Sequence, residues 1–237
     1  MNQLVLEPVK LSYDVEEEIK TLRTSLQFFR NDKRVIMLTS CISGEGKSNT
    51  AYSVALSLAA IDKKVLLIDA DMRKAKSVVR ISVGKPEKGL SHFLSGQAAM
   101  KDIVSATNIP NFYFVAAGPV PPDTTELLSG DLFGKMITAL RDIYDFIIID
   151  TSPLGLVVDA AIIAEHCDGA IMMIESGKIK YRFAQEVKQK LEKTGCTIMG
   201  VVLNKVNWKT SGKYYGKYYG KYYGNYYGSP YGGADEK

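Results

Sequence analysis

Cysteine is scarce in this chain of 237 residues, which has only Cys41, Cys167 and Cys196. An odd number without close pairs makes neither a disulfide framework nor a zinc pattern, so a reducing compartment, the cytoplasm, is expected. Histidine is scarcer still: His92 and His166 have no partners at ligand spacing and are expected to be structural. No run of about 18 uninterrupted apolar residues occurs to suggest a membrane span. The N-terminus carries Glu7, Lys10, Asp14, Glu16, Glu17 and Glu18 in place of an apolar signal core, so membrane association is expected to come through a partner. Charge of one sign is lacking too. The 30 Lys and Arg against 26 Asp and Glu leave +4, too little to argue for a nucleic-acid binder, and no nucleic-acid partner is expected.

What the chain does contain is a series of short aliphatic runs, Val35–Leu38, Val65–Ile68, Phe112–Val115, Phe146–Ile149, Ala170–Ile174 and Met199–Leu203. Each reads as a buried strand. Helical stretches fall between them at Ser48–Ala60, Gly89–Leu94, Thr125–Arg141, Asp159–Ala164 and Phe183–Lys193. This alternation predicts an α/β fold with a doubly wound, mostly parallel sheet. Residues 1–14 show no periodicity, whereas Val15–Phe29 place Ile19, Leu22, Leu26 and Phe29 on one helical face. Met172 and Met173 sit in an apolar run and are expected in the core, and Asp159 is expected to cap a helix N-terminus. From Lys209 the composition changes to KYYGKYYGKYYGNYYG. With Gly at every fourth position and no aliphatic anchor, residues 209–237 read as a disordered tail on a domain spanning 1–208.

The segment Cys41-Ile-Ser-Gly-Glu-Gly-Lys-Ser48 matches the phosphate-loop pattern, with Cys41 where its first Gly belongs. A polyphosphate needs backbone N–H groups around a concavity, small residues that let its oxygens approach, and a helix N-terminus behind them. The loop lies between a strand and a helix, as that chemistry requires. It predicts a P-loop nucleotide hydrolase fold binding ATP and Mg²⁺ through Ser43, Gly44, Glu45, Gly46, Lys47, Ser48 and Asn49, with Lys47 on the β and γ phosphates and Ser48 on the metal. Two further strands deliver acids to their C-terminal ends: VLLIDADMR gives Asp69 and Asp71, and FIIIDTSP gives Asp150, a position suited to holding Mg²⁺ through water.

Together, CISGEGKS, VLLIDADMR, FIIIDTSP and the tyrosine-rich C-terminus resemble the bacterial tyrosine kinases of capsule and exopolysaccharide systems, in the form whose cytoplasmic kinase is a separate chain. The likeness covers roughly residues 15–231 and extends to GPVPPDTTELL from Gly118, VVDA at 157–160 and VVLNK at 201–205. It departs from the family at Cys41 and Ser43, and at Ser152, where the family often has Pro. The resemblance implies ATP-dependent phosphorylation of protein tyrosines on a fold akin to partitioning and cell-division ATPases. Such an ATPase and a nucleotide-binding scaffold are the alternative readings.

On this resemblance Lys47, Asp69, Asp71 and Asp150 form the catalytic set: Asp71 and Asp150 hold the metal's water shell, and Asp69 accepts the tyrosine proton. The tail tyrosines Tyr214, Tyr215, Tyr218, Tyr219, Tyr222, Tyr223, Tyr226, Tyr227 and Tyr231 are then the autophosphorylation sites. The open alternatives for the tail are a low-complexity linker and, with Lys213, Lys217 and Lys221 interleaved, a platform for single-stranded nucleic acid. The family's Glu-Arg-Arg subunit contact of a ring oligomer corresponds to Glu17, Lys20 and Arg23, which also read as a solvated helix face. Other implied partners are a membrane-embedded polysaccharide co-polymerase that activates the kinase and draws it to the inner membrane face, and a phosphotyrosine phosphatase. Asn204 reads equally as an adenine contact or a turn residue. Arg73 reads as a phosphate contact, a partner of Asp71 or a surface ion pair.

Overall fold

Successive residues of a strand point to opposite faces, so an aliphatic run buried on both sides feeds two cores at once. A computed structural model, which describes residues 3–29, 33–74, 77 and 79–206, shows this arrangement. In chain order the elements are β1 (Gln3–Leu6), α1 (Tyr13–Phe28), β2 (Val35–Ser40), α2 (Lys47–Ala59), β3 (Val65–Asp69), β4 (Ile81–Val83), α3 (Leu90–Leu94), α4 (Met100–Ile103), β5 (Val104–Thr107), β6 (Phe112–Val115), α5 (Thr124–Ser129), α6 (Asp131–Arg141), β7 (Phe146–Asp150), α7 (Asp159–Ala164), β8 (Gly169–Glu175), α8 (Tyr181–Glu192) and β9 (Ile198–Asn204).

The sheet runs β4-β1-β5-β6-β3-β7-β2-β8-β9. The six runs expected from the sequence are β6, β3, β7, β2, β8 and β9, which form one uninterrupted parallel block. On one face Val35, Met37, Leu66, Ile68, Ile147 and Ile149 pack with residues from α6, α7 and α8. On the other, Ile36, Leu38, Val65, Leu67 and Ile148 pack under α2, with Leu26 of α1 joining them. Met172 and Met173 are buried, one in each core.

The structure adds to or corrects the sequence reading in four places. Within residues 1–14, where the sequence shows no periodicity, Leu4 and Leu6 are buried in β1, which is parallel to β5 and antiparallel to β4. Such short strands carry too few residues for a periodic signal. The expected helix Thr125–Arg141 is two helices, because Gly130 adopts an extended backbone that ends α5 and starts α6. Asp159 is the first residue of α7 and not its N-cap, a place taken by Val158. Arg73 meets Asp159.

Both histidines have structural partners. His92 Nδ1 accepts the Gly89 amide at 3.2 Å, and the His166 ring packs on Phe133. Among the described residues no helix is long and apolar enough to cross a membrane.

One contact between loops decides where the site begins. Gly155, after β7, lies against the start of the loop that follows β2, and a Cβ there would stand 2.0 Å from the Cys41 carbonyl oxygen. Backbone must move to admit it. Gly155→Ala is therefore expected to destabilise the fold by about 1–3 kcal/mol, read as a lower midpoint in urea denaturation. An unchanged midpoint would show that the two loops do not press on each other.

Candidate functional site

Parallel pairing brings the C-terminal ends of β2, β3 and β7 to one edge of the sheet, where ligands of such folds bind. The register is specific: Asp69 of β3 stands opposite Asp150 of β7, and Leu38 of β2 opposite the same Asp150. The loop after β2 turns over this edge and enters α2. Gly44 and Gly46 take left-handed backbone angles, φ +87° and +90°, that a side chain would strain. Ile42, Ser43, Gly44, Gly46, Lys47 and Ser48 line a cleft of about 220 Å³, with Lys74 from the loop after β3 closing it. A wider depression of about 670 Å³ runs along α6 beside His166, and no residue lining it belongs to the phosphate loop or the acidic strand ends.

The electrostatics of the cleft are concentrated. Lys47 is buried, and its Nζ lies 3.0 Å from Asp150 Oδ1, 3.5 Å from Ser48 Oγ and 3.9 Å from Asp71 Oδ2. Lys74 Nζ approaches Asp71 Oδ2 to 2.6 Å. Burial works against the Lys74 charge, and the neighbouring Asp71, Asp150 and Asp69 carboxylates outweigh it, so its pKa is raised. Asp69 is the outlier among the acids. Its burial, then the charge of Asp150, push its carboxyl up to about 7 against hydrogen bonds from Ser77 and the Asp71 amide. Two carboxylates side by side in a dry site do not both ionise easily, and Asp69 keeps its proton to a higher pH than an ordinary carboxyl.

The site as drawn by the structure includes groups that the motifs alone did not reveal. Ser152 Oγ donates to Asp71 Oδ1 at 2.9 Å, so the position where the family often has Pro here aims an acid. Arg73 forks onto Asp159, with Nε to Oδ2 at 2.6 Å and Nη2 to Oδ1 at 2.8 Å, while the Thr125 hydroxyl donates to the same Oδ1 at 2.9 Å. Burial would raise the Asp159 carboxyl, but the Arg73 and Thr125 hydrogen bonds hold it below the usual range. This pair ties the turn after Asp71 to α5 and α7. The signal was present as a charged residue in VVDA beside an apolar run, but its partner lies 86 residues away.

Glu45 contributes more than a backbone amide. Its buried carboxylate turns away from the cleft and accepts the Cys41 amide at 2.7 Å, the Ile42 amide at 2.9 Å and the Glu175 amide at 2.9 Å. Asn204, at the end of β9, donates its Nδ2 to the Glu45 carbonyl at 2.8 Å. Asn49 lies in the first turn of α2 beside Ser48 and also lines the cleft.

On α1 the expected triad divides. Lys20 bridges Glu17 and Glu16 on the outer side, whereas Arg23 Nη1 reaches the Ser57 carbonyl and hydroxyl of α2 at 3.2 Å each. The nine tail tyrosines from Tyr214 to Tyr231 lie outside the described residues.

The chemistry of this donor set suits a hydrated divalent cation beside a polyphosphate. Asp71 Oδ2 is buried without a hydrogen bond despite its contact with Lys74, and Asp150 and the Ser48 hydroxyl face the Lys47 ammonium. Among the described residues no cluster of three or more His, Cys, Asp or Glu forms a metal cage. A magnesium ion asks for little more than one or two carboxylates, phosphate oxygens and water, so the residues fit it.

Comparison with known proteins agrees with this geometry. Residues 33–193 match the family described as AAA domain. The chain is 43% identical over 205 residues to tyrosine-protein kinase CpsD of Streptococcus agalactiae serotype III, covering 86% of this chain and 88% of that protein. The kinase domain of Escherichia coli tyrosine kinase ETK superposes with a TM-score of 0.74 at 29% identity, over 81% of this chain and 77% of that one. The septum site-determining protein MinD of Pyrococcus horikoshii, solved with Mg-ADP, shares the fold at a TM-score of 0.59 and 22% identity, over 76% of each chain. A phosphate loop flanked by acids on two neighbouring strands, in a chain this similar to named kinases, has one family that accounts for all of it: the protein belongs to the bacterial tyrosine-protein kinases built on the P-loop nucleotide hydrolase fold.

Proposed function

We propose that this kinase binds Mg-ATP in the cleft over β2 and transfers its γ-phosphoryl group to tyrosines of its own C-terminal segment. The observation that carries the reading is Lys47 held at 3.0 Å from Asp150 among buried carboxylates, a cation poised where a triphosphate would bring its charge. The amides of the loop from Ser43 to Ser48 cradle the phosphates, and Lys47 leaves the carboxylates to meet the β and γ oxygens. Ser48, Asp71 and Asp150 would hold a Mg²⁺ ion, which would supply further charge neutralisation. Asp69, with its carboxyl near 7, accepts the phenolic proton. The phenol oxygen bonds to the γ phosphorus, the bond from phosphorus to the β,γ-bridging oxygen breaks, and ADP leaves. A carboxylate raised toward neutrality is a better base for a phenol than an ordinary Asp. Asn204, beside the loop, is our candidate for the adenine.

The acceptors are Tyr214, Tyr215, Tyr218, Tyr219, Tyr222, Tyr223, Tyr226, Tyr227 and Tyr231. The support is that β9 ends at the nucleotide edge, so the segment that follows starts beside the site. Exposed Glu17 and Lys20 on α1 support subunit contacts in a ring, in which each tail meets its neighbour's site. The resemblance to capsule and exopolysaccharide kinases supports a role in controlling polysaccharide synthesis or export. A membrane activator then recruits the chain to the inner membrane face, and a phosphotyrosine phosphatase resets it. MinD resembles the chain in fold alone, which leaves the partitioning-type reading without independent support.

Lys47→Met is expected to keep the fold and lower phosphotyrosine formation by at least about a hundredfold, measured by intact mass after Mg-ATP. Mixing that variant with an active chain ending at Gly212 tests the route. Phosphate on the Lys47→Met chain is expected. Its absence, with wild type modifying itself at a concentration-independent rate, would mean that each tail serves its own site.

Asp69 adds a pH test. Its folded pKa of about 7 lies above the ordinary carboxylate value, so the native state holds a proton that the unfolded chain gives up near pH 4. That stabilisation is present at low pH and is lost as pH rises through about 7. Asp69→Asn is therefore expected to raise the stability of the ligand-free protein at pH 8 by about 1–3 kcal/mol more than at pH 5, while abolishing transfer. Equal effects on Tm at both pH values would show that Asp69 is not the perturbed acid.

A further inference from the structure

The outer wall of the phosphate loop is built from the last residues of β8 and β9, and its geometry is specific. Glu175 and Asn204 are register partners at the ends of these strands. The Glu175 amide donates to the buried Glu45 carboxylate at 2.9 Å, and Asn204 Nδ2 donates to the Glu45 carbonyl at 2.8 Å. Asn204 fits only because residue 46 is Gly, since a Cβ there would stand 2.0 Å from Nδ2. Lys205 completes the wall. Its Nζ donates to the Gly44 carbonyl at 2.7 Å and to Glu175 Oε2 at 3.1 Å, and its amide donates to Asn204 Oδ1 at 2.9 Å. Lys178 meets the same Glu175 oxygen at 3.1 Å, and these two ammonium groups, Lys178 first, hold the Glu175 carboxyl below its ordinary range.

Lys205 also has a left-handed backbone, φ +55°, an angle that a lysine keeps only where its surroundings hold it. A residue in that conformation, bonded through its amide and its ammonium, is over-determined. The carbonyls it and Asn204 engage belong to successive peptides, the Gly44 carbonyl sharing a plane with the Glu45 amide and the Glu45 carbonyl with the Gly46 amide, and in a trans peptide C=O and N–H point opposite ways. Holding the carbonyls outward turns the loop's amides inward, which is the preorganisation that an anion site needs.

We propose that Lys205 is a positioning residue of the phosphate loop, clamping the Gly44 carbonyl against Glu175 so that the loop keeps its nucleotide-binding shape before nucleotide arrives. The proposal rests on the reading of this loop as the ATP site. It has a second consequence through reciprocity. Lys205 is followed by Val206 and then by the segment that carries the tyrosines, so the root of that segment and the nucleotide act on one set of bonds.

The test compares full-length wild type with Lys205→Gly, which keeps the left-handed backbone and drops the ammonium, and Lys205→Arg, which keeps a cation. In Lys205→Gly we expect the Kd for Mg-ATP by calorimetry and the KM to rise roughly fivefold or more, with kcat changed by less than about twofold and Tm unchanged. Hydrogen exchange across residues 41–46 without nucleotide is expected to quicken in the same variant, and Lys205→Arg to restore most of both effects. Adding Glu175→Gln to Lys205→Gly should cost little further affinity, because the two side chains act through one contact. Unchanged Kd and unchanged exchange at 41–46 in Lys205→Gly would overturn the clamp, as would a loss confined to kcat. Wild type failing to bind Mg-ATP would instead overturn the reading of the loop itself.

Discussion

A lysine ammonium among three buried carboxylates is the interaction on which the rest of the structure depends. Lys47 touches Asp150 and approaches Asp71, and Asp69 stands across the register from Asp150 with its carboxyl pushed up to about 7. Three acids and a lysine taken out of water are stable only if each charge is positioned against another, because an uncompensated buried charge is costly. The parallel pairing of β3, β7 and β2 does that positioning. It brings the ends of three strands to one edge, and the loop after β2 carries the ammonium over them.

Rigidity around this group comes from bonds that lie outside the cleft. The Arg73–Asp159 fork with Thr125 anchors the turn after Asp71 to α5 and α7, and Ser152 aims Asp71 from the loop after β7. On the opposite side, the Glu45 carboxylate faces away from the cleft and gathers three amides. A negative side chain inside an anion-binding loop is tolerable because those amides neutralise it and because its direction leaves the phosphate side to other amides. One support holds the turn after Asp71 and the other the phosphate loop. Phosphoryl transfer asks an enzyme mainly for such positioning and for charge compensation.

The N-terminal helix shows how one motif can serve two ends. Arg23 is turned toward α2, the helix that begins with Lys47, through Ser57, while Glu17 and Lys20 remain outside. The surface proposed for subunit contact and the seam against α2 are thus three residues apart on the same helix. Association and the position of α2 are physically adjacent, a short route by which assembly and catalysis can influence each other.

Local pattern was enough for much of this. Six aliphatic runs ending in chemically distinctive residues announced the parallel block, because a strand buried on both faces must be apolar throughout. The spacing of CISGEGKS and the acids of VLLIDADMR and FIIIDTSP named Lys47, Ser48, Asp69, Asp71 and Asp150, because a polyphosphate constrains residue types over a few positions. Strands β1, β4 and β5 were not legible, since strands of three or four residues have no period to read. The extended backbone of Gly130 was likewise hidden inside a helical pattern. Only the tertiary structure decided that burial raises the Asp69 carboxyl, that Arg73 belongs to Asp159, that Glu45 faces away from the cleft, and that Lys205 reaches Gly44. Those outcomes depend on contacts between residues as much as 161 positions apart, and on how deeply each is buried, quantities that no short window of sequence contains.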